Sequence, residues 1–207
     1  MTRPELVFGY GSLLAPGSDP LTGETEPPGY ANPAKGGETT PPGYPAELTG
    51  FSRGWGVAMD NSVDLPGYKF YVEPNGRRPG VFVAFLDLVA DPAPDAGVIG
   101  ICRPFAHEQL AELDRRERNY VRVDVSDRFD HTGRVWTYVG SRDGRARLRE
   151  GRRRGAAVIH AGYLQSVRDG ARAARIGPAA YEAFEASLDP AGLPVVELER
   201  CELALPQ

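Results

Sequence analysis

The sequence contains little cysteine and little histidine. Cys102 and Cys201 are its two cysteines, and no Cys–His cluster has the spacing of a zinc site. The three histidines, His107, His131 and His160, are scattered along the chain. We therefore expect no structural metal ion.

Long apolar runs are also missing. No N-terminal apolar stretch resembles a signal peptide, and no run approaches the length of a membrane span. The formal net charge of −4 argues against a general nucleic-acid-binding protein. We therefore expect a soluble, reduced, cytoplasmic protein without a nucleic-acid or membrane partner.

The 207 residues are 41% hydrophobic, which is enough for a packed core, and they include 25 glycines and 19 prolines. Length and composition predict a single domain over residues 1–207 that is rich in turns. Within it, the segment of about 15–47 loses periodicity and contains PPGY twice. So much proline and glycine excludes a helix or a central strand, and we predict an extended insertion loop. This loop is either disordered or a lid whose Tyr30 or Tyr44 touches a substrate.

Strand patterns dominate the remainder of the chain. Alternating or continuously apolar segments predict strands at 5–8, 55–59, 68–72, 80–89, 98–102, 120–125, 135–139 and 195–203. Helical patterns cover 104–117, 162–175 and 178–188, and the first and the third begin with proline. Because strands outnumber helices and often follow one another, we predict an α+β fold with a small mixed, mainly antiparallel β-barrel and flanking helices.

The first predicted helix carries an acidic residue at the end of its apolar face. Ala106, Leu110 and Leu113 form a stripe with helical spacing, and the next position of that stripe is Glu117. Desolvation and the negative end of the helix dipole both disfavour the charged form of a carboxyl group in such a place. That environment suits general acid or base catalysis near neutral pH. The alternative is a structural glutamate that pairs with an arginine or lies in solvent at the helix end.

The first predicted strand ends in the turn Gly9-Tyr10-Gly11-Ser12. Glycines permit backbone angles that other residues avoid, so this turn can direct several N–H groups toward one carboxylate or carbonyl oxygen. Ser12 adds a hydroxyl donor, and Leu13 anchors the far side of the turn in the core. The turn is not a G-x-S-x-G nucleophile elbow, since a tyrosine stands two residues before the serine. The alternative is an ordinary tight turn.

Taken together, these segments resemble the gamma-glutamyl cyclotransferase superfamily. The residues that carry the resemblance are Tyr10-Gly11-Ser12-Leu13, VIGI at 98–101, Leu113-Asp114-Arg115-Arg116-Glu117 followed by Tyr120, then Tyr138, and finally Tyr163, Val167, Gly170 and Ala171. The resemblance spans nearly the whole chain outside the predicted loop. One departure is Arg118, where many relatives have glycine directly after the glutamate, and it leaves the identity of the leaving group open.

The resemblance implies a small β-barrel that binds a gamma-glutamyl group and releases 5-oxoproline and an amine or amino acid, with no metal or cofactor. It implies that Glu117 is the catalytic base. The implied substrate-binding residues are Tyr10, Gly11, Ser12, Leu13, Tyr120, Tyr138 and Tyr163. For the last three tyrosines, packing in the barrel is the alternative role. The sequence leaves the substrate open, because the gamma-glutamyl group is common to glutathione, gamma-glutamyl amino acids and gamma-glutamyl amines.

Three other functions are compatible with these residues. The same fold could bind a small molecule without turnover, and Ser12 could be the nucleophile of a hydrolase, which would need a histidine base. The segment RDGRARLREGRRR (142–154) contains seven arginines and could bind phosphate or RNA. Because it has no interleaved aromatic residues for base stacking, a solvated loop is the better explanation of this segment. The oligomeric state is open.

Overall fold

The computed structural model of the protein describes residues 5–14, 43–131 and 133–204. The strands are β1 (Glu5–Gly9), β2 (Tyr44–Thr49), β3 (Phe51–Asp60), β4 (Lys69–Val72), β5 (Phe82–Ala90), β6 (Gly97–Phe105), β7 (Tyr120–Asp124), β8 (Val135–Gly140), β9 (Ala157–His160), β10 (Val195–Val196) and β11 (Glu199–Glu202). The α-helices are α1 (His107–Arg116), α2 (Arg142–Arg153), α3 (Ala161–Ala173) and α4 (Pro178–Ala186). Among the described residues, no helix is long and apolar enough to cross a membrane.

The described strands form three sheets. Five strands form a sheet in the order β2-β6-β1-β8-β7, four form a sheet in the order β10-β9-β5-β3, and β11 pairs with β4. Neighbours are parallel in the pairs β1–β8, β5–β9 and β9–β10 and antiparallel in the other five. The predicted α+β fold with mixed, mainly antiparallel strands is confirmed. Closure into a barrel is not confirmed, because no pairing between described strands joins these sheets into a ring.

The main hydrophobic core combines residues that are far apart in the sequence. Phe8 of β1, Leu86 of β5, Ile159 of β9 and Phe184 of α4 are all buried in it. Strand β5 is buried over its first seven residues and lies between β9 and β3. Its continuous apolar sequence therefore reflects a central position, as predicted.

Helix α1 begins later than predicted. Pro104 lies in β6, and the helix begins at His107. The backbone N–H of Ala106 donates a 2.8 Å hydrogen bond to Oε1 of Gln109, which caps the first turn. The predicted proline start is wrong because β6 extends through this segment to complete its pairing with β1. Pro178 does begin α4, as predicted.

The arginine-rich segment 142–154 forms helix α2 and not the predicted solvated loop. Ser141 caps its N-terminus through Oγ. Nε of Arg145 donates a 2.8 Å hydrogen bond to Oδ2 of the buried Asp87, and Nε of Arg147 donates a 2.8 Å hydrogen bond to the backbone of β3. Part of the arginine run therefore attaches this helix to two strands, while the absence of nucleic-acid binding stays a prediction.

Strand β2 begins inside the predicted insertion loop. Residues 15–42, which include Tyr30, lie outside the described residues, whereas 44–47 belong to β2 and pair with β6. The predicted loop boundary at about 47 therefore falls inside a strand. The strand predicted at 195–203 is divided between β10 and β11, which belong to different sheets.

Candidate functional site

The turn after β1 is built around close approaches of its glycines. A short 3-10 helix follows from Ser12, and the backbone N–H of Leu14 donates a 2.9 Å hydrogen bond to the carbonyl of Gly11. A Cβ atom on Gly9 would lie 2.7 Å from Cβ of Leu13, and neither glycine has a positive φ. Gly9 is therefore required by packing, and neither glycine is required by the unusual backbone angles that the sequence suggested.

Glu117 lies at the C-terminal cap of α1. Its backbone N–H donates a 2.9 Å hydrogen bond to the carbonyl of Leu113, so the residue continues the last helical turn. Leu110 and Leu113 are buried, as the predicted apolar stripe requires, whereas Ala106, its first predicted member, is exposed and precedes the helix. The Glu117 side chain is 14% exposed, and its Oε1 lies 3.2 Å from Nε of Arg116. The carboxyl group thus lies at the end of an apolar face and has an arginine beside it.

A cleft of about 410 Å³ brings part of the predicted site together. Ser12 from the first turn, Glu117 from the end of α1, Tyr120 from β7 and Tyr163 from α3 all line it. Gly11 is not among the lining residues, but a Cβ atom on it would be 3.1 Å from the hydroxyl of Tyr163, which is one of them. Residues that are distant in sequence therefore surround one cavity large enough for a small molecule.

The two tyrosines of the cleft are anchored to the same residue of β5. The hydroxyl of Tyr120 donates a 2.6 Å hydrogen bond to the carbonyl of Leu86, and the backbone N–H of Leu86 lies 3.4 Å from the hydroxyl of Tyr163. Burial raises the pKa of both phenols, so they stay protonated at neutral pH. They form a neutral wall of the cleft.

Tyr10, Leu13 and Tyr138 are not at the surface of the cleft. The hydroxyl of Tyr10 donates a 2.7 Å hydrogen bond to the carbonyl of Tyr138, and the hydroxyl of Tyr138 donates one of 2.7 Å to Oδ1 of Asp114. Leu13 packs on the same small cluster of apolar residues as Tyr138. The structure therefore places these three residues behind the cleft, in packing positions.

His160 is the histidine of the cleft, but the backbone occupies both of its ring nitrogens. Nδ1 accepts a 3.1 Å hydrogen bond from the N–H of Tyr163, and Nε2 lies 2.8 Å from the carbonyl of Leu198. Burial also lowers the pKa of His160. A histidine held in this way does not serve as the base for Ser12, which argues against the hydrolase alternative.

Several cleft residues were not predicted from the sequence. Lys69 of β4 and Asn119 line the cleft, and Asn119 is 4% exposed. Oδ1 of Asn119 accepts a 2.8 Å hydrogen bond from Arg147 of helix α2. The alternating pattern of β4 could have shown that a lysine occupies a core-facing strand position. Tyr44, which was considered for a lid, is exposed and does not line the cleft.

Comparison of the sequence with protein-family models and with curated proteins gave no match. Solved structures do match. A human structure described as uncharacterized protein loc79017 is 16% identical, with a TM-score of 0.53 over 95% of this chain and 94% of that chain. YkqA from Bacillus subtilis is 15% identical, with a TM-score of 0.54 over 94% of this chain and 57% of that chain.

A structure described as gamma-glutamyl cyclotransferase is 14% identical, with a TM-score of 0.49 over 90% of this chain and 88% of that chain. Identities this low support a statement about fold and none about activity. The chain shares its fold with the human and Bacillus subtilis structures.

Proposed function

We propose that the protein converts a gamma-glutamyl compound into 5-oxoproline and an amine or amino acid, with Glu117 as general acid and base. One observation carries this proposal: the Glu117 side chain is 14% exposed and lines the same cleft as Ser12 of the first turn. A residue that can act as a base and a residue with a hydroxyl donor therefore share one cleft, as this reaction needs.

The reaction is an attack of the substrate's own α-amine on its γ-carbonyl carbon. At neutral pH most of that amine is protonated, so a base must first remove a proton. The same carboxyl group can then deliver the proton to the leaving nitrogen as the carbon–nitrogen bond breaks. Because the attack is intramolecular, the protein needs no nucleophile of its own and contributes by holding the substrate folded.

The first turn supports the binding half of this mechanism. Ser12 lines the cleft, and its hydroxyl can donate to a substrate oxygen, including the oxygen that becomes negatively charged during attack. Tyr120 and Tyr163 also line the cleft, with their hydroxyls directed to the backbone of β5. These tyrosines shape the cavity and take no part in proton transfer.

The purified protein incubated with a panel of gamma-glutamyl compounds should release 5-oxoproline from at least one of them. Glu117→Gln should reduce the rate by a factor of at least about 10² while retaining ligand binding, since glutamine keeps the shape and cannot remove a proton. Glu108→Gln is the matched control, because Glu108 is an exposed residue in the first turn of the same helix.

The main alternative is a binding module of the same fold without turnover. In that case wild-type protein would bind a member of the panel but release no 5-oxoproline, and the Glu117→Gln variant would bind equally well. Equal rates for the Glu117→Gln variant and the Glu108→Gln control would exclude Glu117 as the base.

A further inference from the structure

The two-stranded sheet formed by β4 and β11 makes one wall of the cleft. In its antiparallel register Lys69 lies opposite Glu202, and Tyr71 lies opposite Arg200. Directly opposite residues and residues two apart project from the same face of a sheet. All four side chains line the cleft. This face therefore presents two cations and one carboxylate to any occupant.

Lys69 has no ionic partner among the described residues. Its Nζ lies 4.4 Å from the ring centroid of Phe85 and 5.6 Å from that of Tyr68, and both rings also line the cleft. No described carboxylate lies within ion-pair distance of this ammonium group, whereas Glu202 pairs with Arg200. A half-buried ammonium group that contacts only aromatic faces has lost hydration without gaining a counter-ion. An anionic group on the ligand would compensate for that loss.

The remaining charges of the cleft also favour an anion. Among the described residues, the lining includes five cationic and three acidic side chains, an excess of two positive charges. The cationic residues are Lys69, Arg115, Arg116, Arg118 and Arg200, and the acidic ones are Glu112, Glu117 and Glu202. Such an excess in a partly enclosed cavity raises the local concentration of anionic ligands.

Lys69 shares the cleft with Glu117, and this indicates which anion it would meet. In the proposed reaction the leaving nitrogen must come within hydrogen-bond reach of Glu117 to receive its proton. In a gamma-glutamyl amino acid, a carboxylate is attached to the carbon next to that nitrogen. In a gamma-glutamyl amine, that carboxylate is absent.

We propose that Lys69 binds the carboxylate of the leaving amino acid and thereby selects gamma-glutamyl amino acids over gamma-glutamyl amines. This inference rests on the proposed function, because it assumes a gamma-glutamyl substrate whose leaving nitrogen faces Glu117. Lys69 is a specificity-determining residue in this account, and the proton transfers belong to Glu117.

The test compares gamma-glutamyl-alanine with gamma-glutamyl-ethylamine, two ligands that differ by the carboxylate alone. Binding is measured by calorimetry in the Glu117→Gln background, where the ligand is not consumed. We expect the alanine compound to bind about tenfold to a hundredfold more tightly, which is the range of a charge-assisted hydrogen bond. Adding Lys69→Met should bring the ratio of the two affinities close to one, and Lys69→Gln should do the same.

Arg77→Met in the same background is the control for a general loss of positive charge. Arg77 is exposed, pairs with Glu73 and does not line the cleft, so the ratio of affinities should be retained. An unchanged ratio in the Lys69→Met variant would overturn the proposal. An equal loss of affinity for both ligands would also overturn it, because Lys69 would then bind the gamma-glutamyl half.

Turnover measured with Glu117 intact separates the two proposals. If wild-type protein releases 5-oxoproline but the ratio of affinities does not depend on Lys69, the role of Lys69 is overturned and the proposed function stands. A Lys69-dependent ratio without any release of 5-oxoproline would overturn the proposed function and would leave Lys69 only as the residue that binds the ligand carboxylate. If Lys69→Met abolished turnover of both compounds to the same extent, Lys69 would belong to the chemistry, and its role in specificity would be wrong.

Discussion

The hydroxyl of Tyr120 donates a 2.6 Å hydrogen bond to the carbonyl oxygen of Leu86. Leu86 is completely buried in central strand β5, and its N–H faces the hydroxyl of Tyr163 at 3.4 Å. One residue of the core thus positions two side chains of the cleft. Two tyrosines of the cleft are consequently held by a strand that is buried over its first seven residues.

These two contacts should differ in strength. Tyr120→Phe removes the short hydrogen bond and should lower the free energy of unfolding by about 1–2 kcal/mol. Tyr163→Phe removes a longer contact and should lower it by less than about 1 kcal/mol. Denaturant unfolding of both variants measures the difference. A larger loss for Tyr163→Phe would show that the 3.4 Å contact is the stronger of the two.

The buried carboxylate of Asp87 should be important for stability. Its Oδ1 accepts a 2.6 Å hydrogen bond from the N–H of Gly140, and its Oδ2 accepts one of 2.8 Å from Nε of Arg145. Asp87→Asn removes the charge that Arg145 faces and should lower the free energy of unfolding by about 3 kcal/mol. The control is Glu150→Gln, which removes the exposed pair with Arg153 and should cost less than about 1 kcal/mol. Equal small losses would contradict the structural role of Asp87.

Lys69 should make stability depend on pH in the alkaline range. Burial, followed by the charge of Arg200, lowers the pKa of Lys69 from 10.5 to about 8; Arg116 acts in the same direction, whereas Glu117 and Glu202 oppose it. Between about pH 8 and 10.5 the unfolded chain therefore binds more protons than the folded protein, so stability rises with pH across this window. Below it both states are protonated, and this group contributes no slope.

The total increase in the free energy of unfolding across this pH window is on the order of 3 kcal/mol. Because methionine does not titrate, the Lys69→Met variant should lack this increase. The measurement is the difference in unfolding free energy between wild type and Lys69→Met at pH 7.5 and at pH 10, which cancels the titration of the buried tyrosines. A difference that does not change with pH would contradict the lowered pKa of Lys69.

The two glycines of the first turn should respond differently to a methyl group. In Gly9→Ala the new Cβ would lie 2.7 Å from Cβ of Leu13 and 3.0 Å from its carbonyl oxygen, so we expect a loss of about 2 kcal/mol in stability. In Gly11→Ala it would lie 3.1 Å from the hydroxyl of Tyr163, which can retreat by a few tenths of an ångström. We expect little loss of stability in that variant but a several-fold higher KM. Thermal unfolding and steady-state kinetics check both outcomes, and equal stabilities would contradict the packing argument.

Much of the secondary structure could be predicted from local patterns. The alternation in β8 and the apolar run in β5 indicate which faces of each strand are buried. Such patterns can be recognised in a short segment of the sequence without knowledge of the neighbouring strands. The stripe of Leu110, Leu113 and Glu117 likewise needs no partner to be recognised, because helical periodicity alone places these residues on one face.

Helix α2 was missed because its stability comes from contacts outside its own sequence. It buries Leu148 as its one large apolar residue, and its attachment depends on Arg145 reaching Asp87 and Arg147 reaching Asn119. Those partners lie in distant parts of the chain. A search for the spacing of apolar residues does not detect a helix whose attachment to the core depends on hydrogen bonds from arginine side chains.

The sequence by itself determined the candidate base, the glycine turn and most of the strands, because each depends on the spacing of neighbouring residues. Only the tertiary structure decided that Glu117 and Ser12 share a cleft, that Tyr10 and Tyr138 do not line it, and that Lys69 lines it without a counter-ion in the part of the chain that the structure describes. The physical reason is that strand register and sheet pairing act over long separations in the chain. They set which side chains lose contact with water and which charges become neighbours.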